Sequence, residues 1–131
     1  MPIVWHTISS SSPYSVQIYG ATTMQPEAMF NDFCGKMCNV HATKGKVYDH
    51  GGQYSNWQNL ARFGVPAWQG PLFRAAEKME RIKKLVCQLN ERKADGGNDA
   101  DLWNQLEEEE VDLANLLGIA WVLQQRGGKN E

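Results

Sequence analysis

"LEEEEVDLANLLGIAWVL", residues 106–123, decides how the chain is read, because it joins a leucine-rich helical period to four consecutive glutamates and an aspartate. On a 3,4 period the inward positions are Leu102, Leu106, Glu109, Leu113, Leu116, Ala120 and Leu123. Only Glu109 breaks that apolar series. Glu107 and Glu108 point to water, Glu110 is an edge residue, and Asp112, three residues after Glu109, flanks the seam.

An unpaired carboxylate facing a packing partner is costly, so the neighbouring helix should answer it with cations or a shared metal. The long helix expected from Pro71 to Arg92 has an apolar side of Leu72, Ala76, Met79, Val86 and Leu89, with Glu77 and Glu80 on its flank. "ADGGND" breaks it before a last helix expected from Ala100 to Arg126. Antiparallel helices bring residues equally far from their turn to one height. Glu80 lies 13 residues before Lys93 and Asp112 lies 12 after Ala100, so they are level, with Glu77 and Glu109 within about a turn. The expectation is four converging carboxylates, which repel unless Mg²⁺ or another hard cation takes their oxygens.

Upstream, Phe30, Cys34, Met37 and His41 fall at helical spacing from Pro26 to Ala42. The glycine- and aromatic-rich stretch 44–70 reads as an ordered connection, with one short helix from Ser55 to Arg62. Residues 1–25 form an N-terminal arm with extended tracts Ile3 to Ile8 and Tyr14 to Tyr19, either non-helical or a β-hairpin. Residues 26–126 form the helical domain and 127–131 a flexible tail. The fold class is all-α: a helical bundle with a long antiparallel C-terminal helix hairpin.

At 131 residues, 42% hydrophobic and 21% charged, the chain has the size of one helical domain plus its arm. A net charge of −2 leaves no broad basic face for a nucleic-acid polymer. The longest apolar segment is too short to span a membrane, so no membrane contact is expected. Three cysteines without a signal-peptide pattern suit the cytoplasm. Cys34, Cys38 and His41 are spaced like part of a zinc site but lack a fourth ligand, so packing is the preferred reading; His50 is read as a solvated turn residue.

The four-carboxylate pattern resembles that of the all-α nucleoside triphosphate pyrophosphohydrolases, the superfamily of MazG and the dimeric dUTPases, whose signature is E-x-x-E followed by E-x-x-D. Here 28 residues separate Glu80 from Glu109. "QYSNWQ", "RAAEKMERIKKL" and "VDLANLL" resemble a phage-associated MazG-like group with Y-G-x-S-W, R-x-x-D-K-x-x-R-L and D-L-A-N-Y patterns. Ser55, Glu77 and Leu116 replace that group's glycine, aspartate and tyrosine.

The resemblance covers about Tyr48 to Leu123. It implies that Glu77, Glu80, Glu109 and Asp112 hold Mg²⁺, with Mn²⁺ as a substitute, and that a (deoxy)NTP is cut to NMP and pyrophosphate. Glu80 and Glu109 would take or orient the proton of the attacking water. Arg74, Lys78 and Arg81 are candidate phosphate ligands, and Asn115, Tyr54 and Trp57 candidate nucleoside ligands. A homodimer or homotetramer, in a host cytoplasm if the source is a phage, completes the expectation. Two other functions compete: a protein of the same fold that sequesters a nucleotide without turnover, and a structural helical interaction protein.

Overall fold

The computed structural model describes the backbone of residues 4–8, 12–18 and 22–24, and residues 25–49 and 51–127 in full. Ile3, Tyr19, His50 and the expected tail beyond Gly127 lie outside the described residues. The chain divides into two compact units, Met1–Lys36 and Met37–Glu131. The second unit is all-α, a helical bundle ending in a helix pair.

The first unit holds an antiparallel sheet, β1 (Val4–Ile8), β2 (Ser12–Ile18) and β3 (Thr22–Met24), in the order β1-β2-β3. Trp5 lies opposite Val16, Val16 opposite Met24, and the β1–β2 register shifts between His6 and Ile8. The arm is therefore a meander, one strand longer than the sequence suggests. Its third strand, Thr22–Met24, is too short to show a period of its own.

Helix α1 (Pro26–Tyr48) begins on proline, which suits a first helical turn, and its second half belongs to the second unit. It runs six residues beyond the expected end at Ala42, through Gly45. An ion pair from Lys44 to Asp112 holds that added turn, a tertiary contact that outweighs glycine's poor helix propensity. After a turn come α2 (Ser55–Gln58) and a 3-10 helix (Asn59–Phe63). A side-chain carbon on buried Gly70 would collide with Leu60 and stand 2.9 Å from Trp57 Cε3, so glycine lets this connection press against the start of the next helix.

Helices α3 (Gln69–Asp95) and α4 (Ala100–Arg126) form the hairpin. Gly96, at φ 73°, ends α3, and the amides of Gly96 and Gly97 donate to the carbonyls of Lys93 and Arg92. Arg92 Nη1 ties the turn together, donating to Asn98 O and, at 2.8 Å, to Asp101 Oδ1. Near this turn Leu85, Leu89 and Leu102 bury one another with Leu106. Towards the open end, Tyr54, Ile119 and Leu123 form a second apolar cluster with Trp57, Ala67, Trp68 and Val122.

The α4 seam lies close to where the period puts it. The α3 seam does not: the buried residues are Gly70, Pro71, Ala75, Lys78, Leu85 and Leu89, while Met79 and Val86 stand 41% and 43% exposed. Over Pro71 to Leu85 the buried row precedes the predicted one by one residue, a rotation of about 100°. Lys78 thereby turns onto the seam, and Glu77 and Glu80 turn off it. Trp103 and Trp121 are exposed on this chain. No helix among the described residues is long and apolar enough to cross a membrane.

Candidate functional site

Four segments of the second unit meet over the middle of α4. Its residues Asp112, Asn115, Leu116 and Ile119 follow one another at helical spacing and pass from charged to amide to apolar. The late turns of α1 bring His41 and Lys44, α3 brings Arg74 and Lys78, and the connection brings Tyr54 and Trp57. All of these line a cavity of about 390 Å³, together with Gly45, Tyr48, Asp49 and Asn56.

The charged end is built on Asp112. Lys44 Nζ donates to its Oδ1 at 2.9 Å and Lys78 Nζ to its Oδ2 at 3.1 Å. Burial pushes the Asp112 carboxyl up, but the hydrogen bonds and charges of Lys44 and Lys78 outweigh it and hold the group below the usual aspartate range. Asp112 is an anionic oxygen donor at neutral pH.

Lys78 also stands 3.2 Å from Glu109 Oε2, and Arg81 Nη1 lies 3.7 Å from Glu109 Oε1. Glu109 Oε2 is buried and makes no well-aligned hydrogen bond, its counter-charge being the Lys78 ammonium.

The amide end is built on Asn115. Its Oδ1 lies 2.9 Å from His41 Nδ1, and His41 Nε2 lies 3.1 Å from the Tyr54 hydroxyl. The His41 and Tyr54 rings meet edge to face, 5.6 Å between centroids. Tyr54 takes a left-handed backbone, φ 65°, which a bulky side chain adopts only at a cost of about 1–2 kcal/mol. Its ring is buried among Ile119 and Leu123, which offsets that strain. Burial raises the Tyr54 pKa, Arg126 lowers it in part, and Asp49 adds to the rise, so its hydroxyl stays protonated at neutral pH.

The expected site residues therefore separate. Asp112, Lys78, Arg74, Asn115, Tyr54 and Trp57 share the cavity, and Glu109 lies beside it against Lys78 and Arg81. Glu77 and Glu80 do not converge on Glu109 and Asp112: their side chains are 54% and 66% exposed and pair on their own helix with Arg74 at 3.1 Å and Lys83 at 3.2 Å. The one-residue rotation of α3 is the reason. Among the described residues no three His, Cys, Asp or Glu side chains converge as a metal cluster, and Cys34, Cys38 and Cys87 are free thiols.

His41 and Lys44 were not among the expected ligands. Ending α1 at Ala42 puts Lys44 in a loop, although the i,i+3 spacing of histidine and lysine could have marked one helix face. No protein-family model matches the chain, and neither a curated protein nor a solved structure matches it significantly.

Proposed function

We propose that the chain binds a nucleoside triphosphate in this cavity and is a Mg²⁺-dependent pyrophosphohydrolase of the MazG-like kind, cutting a (deoxy)NTP to NMP and pyrophosphate. One observation carries the reading. A single cavity has Lys44 and Lys78 on Asp112 with Arg74 also in its wall, and about a turn further along α4 it has Asn115 with Tyr54 and Trp57. Cations match a phosphate chain, and an amide beside aromatic rings matches a base.

The donor set suits a Mg²⁺ that arrives with the triphosphate better than a cage of four carboxylates, since this ion takes one or two carboxylates along with phosphate oxygens. Glu109 and Asp112, which flank Lys78 on α4, would hold it. When bound, the ion neutralises phosphate charge and acidifies a water for attack on phosphorus. Lys44, Lys78 and Arg74 bind and orient phosphate oxygens. Tyr54 and Trp57 exclude water from the base. A cytoplasmic setting belongs to the same reading, as does a homodimer or homotetramer, which the exposed Trp103, Leu117 and Trp121 of α4 support.

A second reading is binding without turnover. It is favoured by the outward pairing of Glu77 and Glu80 and by the lysine set between Glu109 and Asp112. Incubation with a dNTP panel and Mg²⁺, followed by assay of pyrophosphate and NMP, separates the two. Turnover should stop on chelation and in Asp112→Asn. Tight binding with no product would establish sequestration instead, and no binding of any nucleotide would sink both readings.

A further inference from the structure

Asn115 is 5% exposed, and an amide oxygen can only accept a hydrogen bond. With its Oδ1 2.9 Å from His41 Nδ1, that ring nitrogen carries a proton. A ring with one proton then accepts at Nε2, so the Tyr54 hydroxyl, 3.1 Å away, is the donor. Donation runs one way, from Tyr54 to His41 to Asn115. The Asn115 oxygen is spent on the ring. Its amide nitrogen has no protein partner among the described residues, and Asn115 lines the cavity.

Tyr54 is itself held in place, buried with Ile119 and Leu123 and with its hydroxyl 3.1 Å from His41 Nε2. An amide free to rotate would offer either its oxygen or its nitrogen. An amide held by His41 offers only N–H.

We propose that His41 and Tyr54 are positioning residues that fix the polarity of Asn115, so that the cavity selects a nucleotide presenting a hydrogen-bond acceptor at this point. Where a pyrimidine turns its C4 substituent or a purine its C6 substituent to this N–H, the acceptor is the keto oxygen that separates uracil from cytosine and guanine from adenine. An exocyclic amino group in that place sets donor against donor and leaves both unpaired, which costs about 1–3 kcal/mol when buried, or about 5- to 150-fold in affinity. The inference rests on the nucleotide reading of the cavity.

Calorimetry with Mg²⁺ and α,β-imido nucleotides, which resist cleavage, tests it in matched pairs: the uracil against the cytosine nucleotide, and the guanine against the adenine. The wild-type protein should prefer the keto member by about tenfold or more. His41→Leu releases the amide and should bring each pair within about threefold. Asn115→Asp, whose ionised carboxylate only accepts, should reverse the preference. A purely structural role for His41 would weaken all nucleotides alike.

Equal affinities in the wild type, or an unchanged ratio in His41→Leu with a native melting curve, would overturn the inference alone. If that variant fails to fold, Tyr54→Phe, which loses one oxygen, carries the same test: the keto preference must fall, and an unchanged ratio overturns the inference. Failure of every nucleotide to bind the wild type would overturn the nucleotide reading and this inference with it.

Discussion

Near the Gly96 turn the hairpin closes on Leu85, Leu89 and Leu102; about two turns further from it, the same two helices close on Lys78, Glu109 and Asp112. Lys78 is seven residues from Leu85, and Glu109 seven from Leu102, so the two layers occupy equivalent places in one repeat. Their energetics are opposite. Each leucine stabilises by leaving water whatever its neighbour is, whereas each charge is tolerable only while its partner is present. The apolar layer sets how the hairpin closes, and the charged layer gives it a chemistry.

Truncation in the apolar layer should have the largest effect. Leu102 is 3% exposed, and Leu102→Ala should lower the unfolding free energy by about 3 kcal/mol, measured by urea denaturation. Nucleotide affinity should not change under conditions where the variant is folded, since Leu102 does not line the cavity. A loss below about 1 kcal/mol would mean that this layer is not the hairpin's main support.

Lys78→Met should come next, at about 2 kcal/mol. The cost stays below that of a fully buried pair because Arg81 remains beside Glu109 and Lys44 on Asp112. Adding Glu109→Gln should return much of the loss, giving a double-mutant coupling of about 1 kcal/mol or more. Strictly additive losses would show that Lys78 is not the counter-ion the geometry makes it.

The same contrast explains what could be read from the sequence. The apolar layers of α4 follow from spacing alone, as do its bounds, Ala100 to Arg126, because leucine burial needs no knowledge of a partner. On α3 the period admits two rows one residue apart. One carries Leu72, Ala76 and Met79, and the other carries Pro71, Ala75 and Lys78. Hydrophobicity prefers the first. The structure takes the second, because Lys78 meets two carboxylates of α4, information that lies 31 and 34 residues downstream. The positions of Asp112 and Asn115 beside the seam were legible from the period of α4, and both line the cavity. His41 was not, since its role exists only through Asn115 and Tyr54.

Asp112 links the charged layer to pH. Its folded carboxyl titrates below the ordinary aspartate range despite burial, because Lys44 and Lys78 favour the ionised form. The stabilisation is therefore fully present above the unfolded value of about 4 and is lost as pH falls through the lower folded one. Urea midpoints from pH 7 down to pH 3 should fall less steeply for Asp112→Asn than for the wild type, with a difference at neutral pH of about 1 kcal/mol. Parallel profiles would remove the two-lysine clamp from the account.

The smallest effect lies just outside the charged layer. Glu110 is pushed up, first by partial burial and then by the charge of Glu107, so it titrates higher in the folded chain than in the unfolded one. The sign is opposite to that of Asp112: the ionised form is a cost, present above the folded pKa and relieved as pH falls through it. Its side chain remains largely solvated, which limits the cost to a few tenths of a kcal/mol. Glu110→Gln should accordingly gain that much at pH 7 and nothing below about pH 4, read from the same urea midpoints. A loss at pH 7 would mean that Glu110 has a favourable partner, and the natural place to look is a second copy packed along Trp103, Leu117 and Trp121, the exposed apolar residues on the same side of α4.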